Sequence, residues 1–370
     1  MQRIKTLDSM RGLAAATVLF HHIFTRFPHL FEGKFPVWLE SVFTSISNLN
    51  MEAVLLFFFL SGFSICLSLK NDLPVNKINF NIYTYRRLKR ILPLYYFAIF
   101  FTFVCGLIIK TAFLNDDFSL KNLAGNTFFL QCSKSYKGNW FAPYGDNGPL
   151  WSLSFEVFYY FFLPVFLFVM LRLNKSGNFT TLINRRALVV AFFLSYICGF
   201  INKRFFMPYI AFSSLFYVWY GGFFIAVLYL KKVKDNISDI ILQLLLTILA
   251  AAIYYVYPTA TCYHLFIGSV MAGLFYWLYL FRHKFPGSIL VPFERIFNLL
   301  FYKIGTGSYA LYLLHYPLLM VLKQQTTLTI IELLVIIILL TICCIFLEKY
   351  VVSKKWLFLK RPYLAERIKD

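Results

Sequence analysis

Arg11 and His22 stand eleven residues apart in an apolar segment spanning residues 7–22. A helix advances 100° per residue, so that step is about three turns plus 20°. Both side chains then project from one face, roughly 16 Å apart along the axis. Ala15 and Val18 fall between them on the same face. Small residues between two polar groups predict a shallow groove for a long, thin ligand. Glu156 follows Trp151 and Ser152 near the start of another apolar run, at about the depth of His22. A buried carboxylate beside an imidazole orients the ring, raises its basicity and stabilises imidazolium. His315, with Tyr312 three residues earlier on its face, is a further titratable group deep in an apolar run. Arg86, Arg87 and Arg90 stand just before residue 91, and helical spacing brings Arg87 and Arg90 together. Guanidinium forks match phosphate oxygens.

Each group also has a structural reading. Arg11 at the membrane edge can snorkel or pair with Asp8 at i−3. His22 can be a hydrogen-bonded packing residue, and Glu156 can form an ion pair with Arg26. Trp151 suits an interfacial belt, and a basic cluster is the ordinary mark of a cytoplasmic loop. What favours chemistry is the direction they share. The cations gather at one side of the membrane, and the acid–base candidates lie further across it.

The elements that must position these groups are transmembrane helices. The 370-residue chain is 60% hydrophobic and 21% aromatic, with 14% charged residues. That excludes an ordinary soluble protein and predicts an all-α polytopic membrane protein. About ten spans are expected, at 7–27, 51–69, 91–109, 150–171, 187–201, 211–230, 238–256, 262–281, 304–322 and 329–347. With the N-terminus in the cytoplasm, the inner segments carry 26 Lys and Arg and the outer loops 8. This bias places both termini inside and accounts for the net charge of +20 without a nucleic-acid partner. The longest outer loop, about 110–149, reads as an ordered cap or gate because loops of that length are usually functional or disordered. No cleavable leader, internal repeat or soluble C-terminal domain is expected, so residues 1–370 form one membrane domain. The seven cysteines show no metal-ligand spacing, and only Cys132 and Cys262 are candidates to face outside, so no structural disulfide is expected.

Five segments together resemble the acyltransferase family 3 membrane enzymes. Residues 7–14 with His22 are similar to the family's first-helix pattern of Arg, ten residues, then His. Residues 57–63, with Ser61, resemble its Phe-Ser-Gly-Phe segment, and residues 86–95 its basic stretch ending in Pro. Residues 151–156 resemble its Trp-Ser-Leu-Ser-x-Glu motif, and residues 308–317 its Ser-Tyr…His-x-Pro segment. Each is weak alone; five in order from Leu7 to Pro317 are specific. One departure is Val157, where many members carry a second Glu.

The resemblance implies a ten-helix core in a bacterial inner membrane. It would move an acyl group, usually acetyl, from cytoplasmic acyl-CoA to a sugar hydroxyl of an outward-facing glycan such as O-antigen. On that reading Arg87 and Arg90, with Arg86 and Arg11, hold CoA phosphates, and the pantetheine arm passes Ala15 and Val18. His22 is the general base with Glu156 orienting it, or it carries the acyl group itself. Trp151, Ser152, Ser61, Tyr312 and His315 support substrate or site. No permanently bound cofactor or metal is required. Two other functions suit the same helices: a glycolipid or polysaccharide transporter, and a glycan polymerase.

Overall fold

The computed structural model describes residues 4–69, 80–111, 115–134, 139–173, 181–205, 214–231, 237–284, 290–325 and 327–353. Among these there is no strand. The helices are α1 (Lys5–Arg26), α2 (Val37–Asn48), α3 (Asn50–Ser68), α4 (Phe80–Ile108), α5 (Leu120–Thr127), α6 (Trp151–Leu173) and α7 (Thr181–Phe205). They continue with α8 (Phe216–Lys231), α9 (Ile237–Val256), α10 (Ala260–Lys284), α11 (Leu290–Thr306), α12 (Ser308–Leu322) and α13 (Ile330–Ser353). Ten of them fall on the ten expected apolar runs, and the chain is an all-α polytopic membrane protein. Five of these helices, together with the stretches Val37–Ser68 and Gly148–Leu173, are long and apolar enough to cross a bilayer, while α8 and α12 are shorter apolar helices. α1 carries Asp8, Arg11 and two histidines, which dilute its apolar character.

The boundaries correct the sequence reading in three places. α4 starts at Phe80, so the basic residues 86–90 lie on a helix and not in a loop. Residues 80–92 hold no Gly or Pro, and leucine, lysine and arginine are good helix formers. α7 is 25 residues long, where a short span was expected. The span expected over 304–322 consists of two pieces, because α11 ends at Thr306 and α12 begins at Ser308, with Gly307 between. α11 escapes a hydropathy reading because it is amphipathic. Phe293, Ile296, Leu299 and Leu300 are exposed, while Glu294 and Asn298 accept hydrogen bonds from Thr6 and Ser9 of α1. Of the expected inner segments 70–90, 172–186, 231–237, 282–303 and 348–370, residues 70–79, 174–180, 232–236, 285–289 and those from 354 lie outside the described residues.

Two glycine pairs set the closest helix approaches. A Cβ on Gly305 would lie 1.8 Å from the Asp8 carbonyl oxygen, and one on Gly12 would lie 2.2 Å from that of Phe301. The same reciprocity joins α3 to α8, where Cβ atoms on Gly62 and Gly222 would each meet a backbone oxygen at 1.9 Å. Small residues at membrane helix crossings let the backbones touch. α8 is thereby drawn into the centre, with Phe216, Trp219, Tyr220 and Phe223 fully buried.

The described parts of the 110–149 loop form an ordered cap with its own polar core. Asn126, Gln131 and Asn147 are fully buried. The Gln131 amide donates to the Leu150 carbonyl at 2.8 Å, and the Gln131 carbonyl accepts from Ser154 Oγ at 2.6 Å, so the cap fixes the start of α6. Lys134 bridges Asp117 at 2.5 Å and Asp146 at 2.9 Å. Burial lowers the ammonium's proton affinity, but the two carboxylates outweigh it and hold the group protonated above its ordinary range. Cys132 and Cys262, the candidates for the outer side, are not presented to solvent. Both are buried, and burial pushes the Cys132 thiol up to about 12.

Candidate active site

A cavity opens among α1, α3, α4, α6 and α12, with an empty volume of about 770 Å³ counted out to its mouth. Arg11, Arg87 and Arg90 reach it from α1 and α4, and Glu156 and Tyr160 from α6. Three guanidinium groups against one carboxylate make it an anion site. Arg11 is held by Asp8 at 2.9 Å and donates to Ser64 of α3. Arg87 donates to Ser68 at 2.5 Å and lies against the Tyr83 ring, while its buried Nε has no partner. Arg90 makes no hydrogen bond or ion pair among the described residues. It is enclosed by protein yet its surface stays accessible, because it faces the cavity and not packed atoms.

Glu156 is held on the side of the arginines. Ser61 donates to its Oε1 at 2.6 Å, Tyr160 donates to the same oxygen, and Trp219 Nε1 donates to Ser61 Oγ at 3.3 Å. The four-residue step from Glu156 to Tyr160 puts both on one face of α6. Ser152, one turn before Glu156, meets the Tyr312 hydroxyl at 2.8 Å, and both line the cavity. Trp151 packs edge-on against Phe58 and Phe155, close to the cavity wall without lining it.

His22 lies beyond that wall. Its ring stacks on His315 with centroids 5.3 Å apart and planes inclined by 27°, and the Tyr316 ring stands edge-on at 4.9 Å. Arg26, one turn on, covers the opposite part of Tyr316 at 4.0 Å, so it does not pair with Glu156. His21 points away to α2, where its Nδ1 meets the Ser47 carbonyl and hydroxyl at 3.0 Å. Arg11 lines the cavity together with Ser308 and Tyr309 of α12 and donates to Ser64 of α3, while His22, three turns on, lies against His315 of α12.

Three site expectations are corrected. Glu156 does not orient His22, because equal depth fixes a level in the membrane and not a direction around it. The face of α6 carrying Glu156 turns toward α3 and α4. The groove along Ala15 and Val18 is closed in this structure, since both are in the packed core at 2% and 3% exposure. Arg86 is exposed and lies outside the cavity lining, one residue out of phase with Arg87 and Arg90.

Four residues of the site were missed. Tyr160 carried a legible signal, its spacing from Glu156, as did Ser64 at i+3 from Ser61. Tyr309 is shown only by its place on α12. Glu348 was read as tail, yet it is an ionisable group on the apolar α13. Its carboxylate accepts from the backbone N–H groups of Tyr309 and Ala310 at 3.1 and 3.2 Å, capping the start of α12 inside the protein.

A family model described as an acyltransferase domain matches residues 4–349. No curated protein and no solved structure matches the chain.

Proposed function

The chain belongs to acyltransferase family 3, whose model it matches over nearly its whole length, and from that premise we propose that it carries an acyl group, acetyl above all, from cytoplasmic acyl-CoA to a sugar hydroxyl of an outward-facing polysaccharide such as O-antigen, in a bacterial inner membrane. The observation that carries the donor half is Arg90, a guanidinium with no hydrogen bond or ion pair among the described residues, facing an open cavity shared with Arg11 and Arg87. The phosphates of a CoA moiety supply the charge this cavity lacks. His22, further along α1, takes the proton of the acceptor hydroxyl as the new ester C–O bond forms. The thioester C–S bond breaks in the same exchange, and the leaving thiolate recovers the proton from the His22 imidazolium. Glu156 serves the donor side, where it holds Ser61 and Tyr160 and offsets part of the arginine charge.

The test is transfer of labelled acetyl from acetyl-CoA into surface glycan, in membranes holding equal amounts of wild type, His22→Ala and Arg90→Ala. Removing a general base costs about 10²- to 10⁴-fold in rate, so His22→Ala should leave donor binding intact and abolish measurable label. Arg90→Ala should weaken acyl-CoA binding. Equal label with all three proteins overturns the assignment. A change in glycan chain length, without single acyl mass increments, points to polymerisation.

A further inference from the structure

His315 is fully enclosed, at 1% exposure, and its two ring nitrogens are in unlike situations. Nδ1 lies 2.9 Å from the Leu311 carbonyl, one turn back on α12. A carbonyl oxygen only accepts, so Nδ1 carries the hydrogen. In the neutral ring Nε2 is then a bare acceptor, and it is buried with no partner. An unfilled buried acceptor is costly unless something fills it during function. The nearest ring is that of His22, 5.3 Å away between centroids and inclined by 27°, with no hydrogen bond between the two in this structure, so the rings must turn edge to edge for one to form. The other groups around the pair are His21, already engaged by Ser47; Arg26, lying over Tyr316; Tyr316 itself; and Tyr312, whose hydroxyl is taken by Ser152. No hydrogen bond or ion pair joins His22 to a carboxylate among the described residues.

We infer that His315 is the positioning residue for His22: its Nε2 accepts the N–H of His22 that points away from the reacting hydroxyl, and steadies the imidazolium as it forms. This rests on the reading of His22 as general base. The hydroxyl proton moves to one nitrogen of His22 while the ester bond forms, and the other N–H of that ring is held by His315. The departing thiolate then takes the proton back, so His315 begins and ends the cycle neutral. A histidine thus does here what was expected of Glu156. The arrangement avoids a second buried charge beside the acceptor sugar.

The two amide side chains separate this role from a structural one. His315→Asn places an N–H where Nδ1 was, keeps the bond to Leu311 and leaves the Nε2 position empty. His315→Gln reaches the Nε2 position with a carbonyl acceptor. Acetyl transfer is measured from pH 5 to 9 together with acetyl-CoA binding. His315→Asn should lower kcat by about a hundredfold, leave acetyl-CoA binding unchanged and move the acid limb of the profile to lower pH, because the His22 imidazolium loses its acceptor. His315→Gln should recover most of the rate. If Asn is tolerated and Gln is not, or if neither moves the acid limb, His315 only supports α12 and the inference falls. An unaffected His22→Ala protein overturns the underlying function instead.

Discussion

A guanidinium inside a membrane protein without a counter-charge is expensive to keep. Arg90 makes no hydrogen bond or ion pair among the described residues and is balanced only at a distance, by Glu348, Glu156 and Asp8, whereas Arg11 has Asp8 in contact and Arg87 has Ser68 and the Tyr83 ring. The difference predicts distinct phenotypes. Arg90→Ala should weaken acyl-CoA binding by about tenfold or more, the worth of a charge-assisted hydrogen bond, and leave the ligand-free protein no less stable. Arg90→Lys should not restore binding, because an ammonium lacks the planar fork. Arg86→Ala should bind as wild type does, which separates the cavity from a general attraction of the basic stretch. Equilibrium binding of acyl-CoA to purified protein in detergent reads all three. The residues themselves were largely legible. Arg11, Arg87, Arg90, Glu156 and Ser152 meet in one cavity, and His22 and His315 meet beside it. What spacing along a helix cannot give is which neighbouring helix a face turns to, and on that the pairing of Glu156 with His22 failed.

Helices place these groups through two close contacts. Gly12 and Gly305 let α1 and α11 touch backbone to backbone, and that contact fixes where Arg11 enters the cavity. Gly305→Val would drive a branched side chain into the Asp8 carbonyl and part the helices. Overpacking of this kind costs about 1–3 kcal/mol. We expect a lowered thermal midpoint together with weakened acyl-CoA binding, since Asp8 and Arg11 move with the backbone; unchanged values for both would mean that the contact is slack. The α11–α12 break was not legible for a physical reason. A hydropathy window reads α11 as a loop because its polar face, Glu294 and Asn298, is matched by Thr6 and Ser9 from a segment nearly 300 residues earlier. Long apolar runs such as α9 and α13 declare themselves, while helices made stable by a distant partner do not.

At the scale of the molecule, the ion-paired cap and the basic start of α4 should lie on opposite sides of the membrane. With Cys198 and Cys343 replaced, the five remaining cysteines are all buried and this is testable with little background. Trp140→Cys replaces an exposed residue of the cap and should react with a membrane-impermeant maleimide added to intact spheroplasts. Arg86→Cys should react only after the membrane is opened. Labelling of both from outside would overturn the positive-inside orientation. The all-α polytopic architecture and the presence of an ordered cap were legible from hydropathy and loop length, although seven stretches, not ten, are long and apolar enough to cross a bilayer. The cap's interior was not, because Asn126, Gln131 and Asn147 look like ordinary loop residues until their side chains are seen to bond the backbone carbonyls of Ala142, Leu150 and Leu313.

Tyr312, joined to Ser152, stands between the arginine cavity and the two histidines, and the small residues of α1 are packed shut behind it. A membrane that stores a proton gradient leaks through any continuous wet passage. Among the described residues Tyr312 lines the polar chamber on one side and lies near His315 on the other, with Ala15 and Val18 of α1 packed beside it, an arrangement that would hinder water from passing between them. On the proposed reading, a pantetheine arm passing Tyr312 would fill the gap it opens. The substrate would then be its own stopper for as long as the arm is in place.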